Sequence, residues 1–143
     1  MSLYVDTSAL AKWYIDESDS DSFVDFIRDH PGAGVSRLTV VELRCMLARR
    51  RRNREITTKV EVGAFELFQS DVREGFLVML PMSDVHFAAA SDILDRLPQV
   101  PLRTLDALHL AVADSNRARM IATADTVMAT AARALKFDTH LFH

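Results

Sequence analysis

Cysteine is nearly absent: Cys45 is the single one in 143 residues. One cysteine cannot close an internal disulfide, which fits a reducing compartment, and no Cys/His ligand spacing points to zinc. Cys45 lies in a helix-like run with no histidine near it in sequence, so a small buried apolar residue is expected rather than a nucleophile. No run approaches the roughly 18 apolar residues that a membrane helix needs. The start, Met1-Ser2-Leu3-Tyr4-Val5-Asp6, lacks a basic stretch leading into an apolar one, so no signal peptide is read and a soluble cytoplasmic protein is expected. Glycine and proline number only four each, and no linker, repeat or low-complexity tract divides the chain. The length suits one domain over residues 1–143.

Excess positive charge is also missing. The net charge is −3, which by itself argues weakly against a nucleic-acid partner. The distribution says more than the sum. Arg44, Arg49, Arg50, Arg51, Arg52 and Arg54 crowd one short segment, and Arg117 and Arg119 form a second group, while the acids are spread evenly. The Arg run has two readings of similar weight: a solvated helix end, or contact with RNA phosphates or an acidic partner segment.

Apolar patterning supplies the elements. Leu3-Tyr4-Val5 reads as a strand ending at Asp6, and helical spacing follows over Ser8–Ile15 and Asp19–Asp29. Pro31-Gly32-Ala33-Gly34 breaks the pattern before a minimal strand at Val35-Ser36. Helices are expected from Thr39 to about Asn53 and from about Thr57 to Val72. Phe76–Leu80, between Gly75 and Pro81, reads as a strand buried on both faces. Helices at Asp84–Leu97 and Thr104–Asn116, a strand at Met120-Ile121-Ala122, a helix at Asp125–Leu135 and an edge strand at Lys136-Phe137-Asp138 complete the chain. Strands alternating with helices imply a parallel sheet covered on both faces, whose ligands bind beyond the carboxyl ends of the strands.

Four acids stand out by placement. Asp6 closes the first strand, Glu42 and Asp106 each fall in the first turn of a helix, and Asp125 follows a strand in Thr123-Ala124-Asp125. Each has a local explanation. Thr39-x-x-Glu42 has the spacing of a capping box, Asp106 complements a helix dipole, and Asp6 and Asp125 suit turn or cap positions. Together they suggest chemistry. Clustered carboxylates raise one another's pKa unless a cation neutralises them. Mg²⁺ or Mn²⁺, which prefer oxygen ligands, would do so, and would supply phosphodiester hydrolysis with an activated water. His109 lies on the same helix side as Asp106. A packed or hydrogen-bonded role is preferred for it over a general base, and core packing is preferred for Trp13 and Tyr14 over stacking on bases.

The ordered segments Val5-Asp6-Thr7-Ser8-Ala9-Leu10, Thr39-Val40-Val41-Glu42-Leu43, Leu105-Asp106-Ala107-Leu108-His109-Leu110-Ala111 and Ala122-Thr123-Ala124-Asp125 span nearly the whole chain, and Ala131, Ala132 and Leu135 add a terminal pattern. In these the sequence resembles the PIN-domain family, and within it toxins of the VapC type. The resemblance implies a three-layer α/β/α, Rossmann-like fold with a central parallel sheet of four to five short strands. It implies Mg²⁺- or Mn²⁺-dependent endonucleolytic cleavage of RNA, with Asp6, Glu42, Asp106 and Asp125 as the acidic metal-binding positions. Ser8 matches a small hydroxyl near the metal, and Thr123 one that orients acids or water. A VapB-type antitoxin and a homodimer are further implied partners. The helices between Thr39 and Val72, with Val60, Phe65 and Phe68, are the expected contact region, and Arg49, Arg50, Arg51 and Arg52 the expected RNA or antitoxin contacts. Some family members carry another acid shortly after the position of Asp125. Here Thr126, Val127 and Met128 follow it, so one ion or two stays open.

Competing α/β readings fail on residues. A receiver domain needs a phosphoacceptor Asp after its third strand, and Phe76–Pro81 holds none. A haloacid-dehalogenase phosphatase needs Asp-x-Asp, and Asp6 is followed by Thr7 and Ser8. The alternative that stays open is a PIN-type RNA- or protein-binding module without turnover.

Overall fold

The computed structural model describes residues 2–143. Its elements are β1 (Leu3–Val5), α1 (Thr7–Tyr14), α2 (Ser20–Arg28), β2 (Ala33–Ser36), α3 (Arg37–Arg52), α4 (Thr58–Arg73), β3 (Leu77–Leu80), α5 (Asp84–Arg96), α6 (Thr104–Ser115), β4 (Met120–Thr123), α7 (Thr126–Ala134) and β5 (Asp138–Leu141). The strands form one parallel sheet in the order β3-β2-β1-β4-β5. The chain therefore adds β2 and β3 to one side of β1, then β4 and β5 to the other. That reversal opens a crevice between β1 and β4 at their carboxyl ends.

Side chains alternate across the central strand. Leu3 and Val5 point into one core with Leu10, Phe23, Ile27, Leu43, Leu47 and Phe68, supplied by α1 to α4. Tyr4 points into the other, with Ile93, Leu110, Val112, Ile121 and Met128 from α5, α6, β4 and α7. The fold is thus α/β/α, with the sheet between two helical layers. Leu43 is completely buried, and Leu43→Ala is expected to cost about 2–5 kcal/mol. A urea titration should show a lower midpoint at unchanged slope. Among the described residues no helix is long and apolar enough to cross a membrane.

Several expectations need correction. Phe76–Leu80 is not covered on both faces: β3 is the sheet's edge strand and Val78 is 39% exposed. The last strand starts at Asp138 because Lys136 takes a left-handed turn (φ +73) after α7. β2 begins earlier than expected, at Ala33, directly after Gly32 (φ +82) makes the turn. Helix α3 also begins earlier, so Glu42 lies in its second turn, and the capping box is built by Ser36 with Thr39 rather than by Thr39 with Glu42. Cys45 is exposed, because it faces away from the Leu43/Met46/Leu47 side that packs on the sheet. Phe68 is fully buried under α1, so it is not available as a surface contact.

Candidate functional site

The crevice at the carboxyl ends of β1 and β4 is a cleft of about 650 Å³, and Asp6, Glu42, Asp106 and Asp125 all line it. Asp6, 4% exposed, is the N-cap of α1. Its Oδ1 accepts from the Ser8 hydroxyl (2.7 Å) and the Ala9 amide (3.1 Å), and its Oδ2 accepts from the Thr123 hydroxyl (2.6 Å). Asp125 is the N-cap of α7, with Oδ1 accepting from Val127 and Met128 amides at 2.8 and 3.1 Å. The capping expectation for these two residues therefore holds alongside their place in the cleft. Helix N-termini supply positive ends that favour carboxylates.

Asp106 lies in the first turn of α6, half-buried. Its Oδ2 is buried and accepts no hydrogen bond from the protein. An orphaned carboxylate oxygen is costly without a cation or donor. Burial pushes the Asp106 carboxyl above its ordinary pKa, and the charges of Asp125 and Asp6 push it further, against a smaller opposing effect of Arg103. Burial also raises Asp6, opposed by the charge of His109 and by its hydrogen bonds from Thr123, Ser8 and Ala9. Asp106 thus senses the charges of both other aspartates across the cleft.

Glu42 differs. Burial would raise its pKa, but the hydrogen bond and charge of His109, with the Thr7 hydroxyl, bring it below the ordinary glutamate value. Both partners act on one oxygen: Oε1 accepts from Thr7 Oγ1 at 2.7 Å and lies 2.5 Å from His109 Nε2. Among the described residues, no three His, Cys, Asp or Glu side chains are gathered tightly enough to hold an ion as they stand. Repulsion between uncompensated carboxylates favours such separation. The donor set is all oxygen and the orphaned Asp106 Oδ2 lacks a partner, and both suit a hard divalent cation.

The arginines sort into groups. Arg49 and Arg50 line the cleft, and Arg50 is paired with Glu17. Arg51 and Arg44 instead clamp Glu61, at 2.7 and 3.0 Å. Arg52 is exposed at the end of α3. Arg119 belongs to a different cleft, beside the starts of β4 and β5. Sequence reasoning missed Arg103, which reaches within 3.8 Å of Asp125 Oδ2, and it missed Thr7 and Tyr4. Thr7 was findable as the hydroxyl next to Asp6. Trp13 and Tyr14 pack as expected: both donate to Asp71 Oδ2, at 3.1 and 2.6 Å, and Trp13 stacks on Phe76.

This α/β/α frame, with acids collected at the switch point of its sheet, is that of a known class. Residues 3–134 match the PIN domain family, and the chain belongs to it. Among solved structures it is similar to VapC20 of Mycobacterium tuberculosis, a sarcin–ricin loop cleaving toxin, at 18% identity over 91% of this chain and 95% of that one, with a TM-score of 0.71. It is also similar to VapBC2 of Rickettsia felis bound to a promoter DNA fragment (12% identity, all of both chains, TM-score 0.71). A third is FitAcB of Neisseria gonorrhoeae (18%, 99% of this chain and 96% of that one, TM-score 0.64). At these identities the likeness is one of fold. No curated protein sequence matches the chain.

Proposed function

We propose that this PIN-domain chain is a metal-dependent endoribonuclease acting as a VapC-type toxin. The observation that carries the reading is the buried, unpartnered Oδ2 of Asp106 in the cleft that Asp6 and Asp125 share. Asp6, Asp106, Asp125 and Glu42 would hold Mg²⁺ or Mn²⁺, which when bound would supply charge neutralisation at phosphate and an activated water. The chain's own residues prepare that site. Ser8 and Thr123 fix both oxygens of Asp6, and such supporting hydrogen bonds set ligand geometry. Arg49, Arg50 and Arg103 put positive charge on the cleft that phosphates must enter. Arg51 and Arg52 lie outside it and suit an antitoxin contact better than RNA.

The similarity in fold to VapC20, a sarcin–ricin loop cleaving toxin, and to VapBC2 supports an RNA substrate and a VapB-type antitoxin, while a homodimer and a cytoplasmic setting rest on the resemblance to VapC-type toxins alone. The test is a fluorescent RNA cleavage assay with Mg²⁺, Mn²⁺ or EDTA, run on the wild type beside Asp6→Asn. Cleavage is expected only with the cation, and a loss of at least about a hundredfold is expected in the variant, equivalent to two or more steps of 1.36 kcal/mol. Cleavage indifferent to EDTA or to Asp6→Asn would overturn the metal reading. RNA binding without turnover would mark a binding module instead.

A further inference from the structure

The hydrogen bonds around Glu42 continue past the cleft wall into the core. His109 is 2% exposed, its Nε2 lies 2.5 Å from Glu42 Oε1, and its Nδ1 lies 2.6 Å from the Tyr4 hydroxyl. Tyr4 is wholly buried on the central strand, and its hydroxyl is 3.0 Å from Ser36 Oγ, the N-cap of α3. The chain Ser36–Tyr4–His109–Glu42 thus joins β1, α6 and both ends of the first two turns of α3. Among the described residues nothing donates to Glu42 Oε2, while Oε1 takes both Thr7 and His109.

Proton counting fixes the direction at Glu42. A phenol has one proton. If Tyr4 gives it to His109 Nδ1, the neutral ring carries its own proton on Nε2. If Tyr4 gives it to Ser36, the direction its geometry favours, its oxygen accepts from Nδ1–H, and the donor that the carboxylate requires at Nε2 is the second N–H of a charged imidazolium. In both arrangements Nε2–H donates to Oε1. The sites of the proton on either side of Tyr4 do not change what Glu42 receives.

We propose that His109 is a positioning residue, backed by Tyr4, that commits Oε1 of Glu42 to the protein and leaves Oε2 as the one oxygen of that carboxylate offered to the cleft. This role is distinct from that of a general base, because both ring nitrogens are engaged by the protein. It also gives the buried histidine of Leu105-Asp106-Ala107-Leu108-His109 a function that packing alone would not require, since a leucine would fill the space. The activity arm of its test rests on the nuclease reading above, and the spectroscopic arm does not.

The spectroscopic arm uses proton NMR on the metal-free full chain. A hydrogen-bonded imidazole N–H should resonate far downfield in the wild type, vanish or move upfield in Glu42→Leu, and shift in Tyr4→Phe. The activity arm compares His109→Gln, whose amide nitrogen can stand where Nε2 stands, with His109→Asn, whose shorter amide can reach only toward Tyr4. With melting curves confirming the fold, His109→Gln should keep kcat on RNA within about threefold, and His109→Asn should lose about tenfold or more in kcat with KM little changed, the scale seen for residues that orient ligands. A ring signal indifferent to Glu42→Leu, or folded Asn and Gln variants with equal kcat, would overturn the proposal. If the wild type cleaved no RNA but the ring signal answered to Glu42 and Tyr4, the positioning of Glu42 would stand and the nuclease reading would fall.

Discussion

Asp106→Asn is expected to stabilise the metal-free protein slightly while removing its response to Mg²⁺ and its cleavage of RNA. The carboxyl of Asp106 is held in an unfavourable place: burial opposes its charge, Asp125 and Asp6 repel it, and Oδ2 has no donor. Asparagine removes one of the repelling charges and adds N–H donors. The cleft is open to solvent and Asp106 is only half-buried, so screening keeps the gain below about 1 kcal/mol. The loss on the other side is larger. A cation that binds only the folded chain stabilises it by about 2.7 kcal/mol at a hundred times its Kd, and a variant lacking a ligand should show little of that increment. Cleavage should fall at least about a hundredfold, since several kcal/mol of charge stabilisation are at stake. Melting curves in EDTA and in Mg²⁺, beside the cleavage assay, check both halves. An Asp106→Asn protein that gained as much from Mg²⁺ as the wild type would remove Asp106 from the ligand set.

The same shifts give a pH dependence with a definite sign. Asp6 and Asp106 have folded-state pKa values raised above their unfolded ones. Each therefore binds its proton more tightly when folded. Its stabilising contribution is complete below the unfolded pKa and is lost as pH rises through the raised folded pKa. Glu42, lowered on folding, acts oppositely: its contribution is present above its unfolded pKa and is lost as pH falls through the lowered folded value. In EDTA, the gap in melting temperature between Asp106→Asn and the wild type should widen as pH rises from the ordinary carboxylate range toward neutrality. Mg²⁺ should close or reverse that gap near neutral pH.

Where local sequence governs, the sequence was legible. Leu3-Tyr4-Val5 has to be a strand, Asp6 has to end it, and the order of strands and helices implies a parallel sheet with its crevice at the carboxyl ends. Asp6, Asp106 and Asp125 were visible because each follows a strand or opens a helix, whereas Glu42, read in a first turn, lies in the second turn of α3. What was not visible depends on sheet order and on helix phase. Tyr4 and His109 are separated by 105 positions, and only the adjacency of β1 to α6 brings them together. Thr39-x-x-Glu42 and Ser36-x-x-Thr39 are both sensible caps, and the end of β2 at Ser36 selects the second. Phe76–Leu80 has the composition of a central strand, but its position at the edge leaves Val78 exposed. Cys45 reads as a small buried apolar residue with no histidine near it in sequence, and the phase of α3 turns it outward. The Arg run was one feature in sequence, yet helix phase splits it between the cleft and Glu61.

Thr123→Val is expected to uncouple the two ends of the site while leaving its shape unchanged. Thr123 is fully buried at the end of β4. Its hydroxyl donates to Asp6 Oδ2 at 2.6 Å and accepts from the Asp125 amide at 3.1 Å. One oxygen thus ties the acid after β1 to the acid after β4, across the switch point. Valine fills the same volume but supplies neither donor nor acceptor, so a buried carboxylate oxygen and a backbone N–H lose their partner together. The cost is about 1–3 kcal/mol in urea unfolding. The Asp6 carboxyl, already raised by burial, loses one of the hydrogen bonds that oppose the rise. Proton competition for Asp6 should therefore increase, and both Mn²⁺ affinity and RNA cleavage should fall by about ten- to a hundredfold. Thr123→Ser keeps the hydroxyl and should retain most of both. The comparison separates hydrogen bonding from packing, because serine sacrifices a methyl group and valine sacrifices the oxygen. A valine variant that bound Mn²⁺ and cleaved RNA like the wild type, with the serine variant impaired, would show that Thr123 serves the core and not the acids.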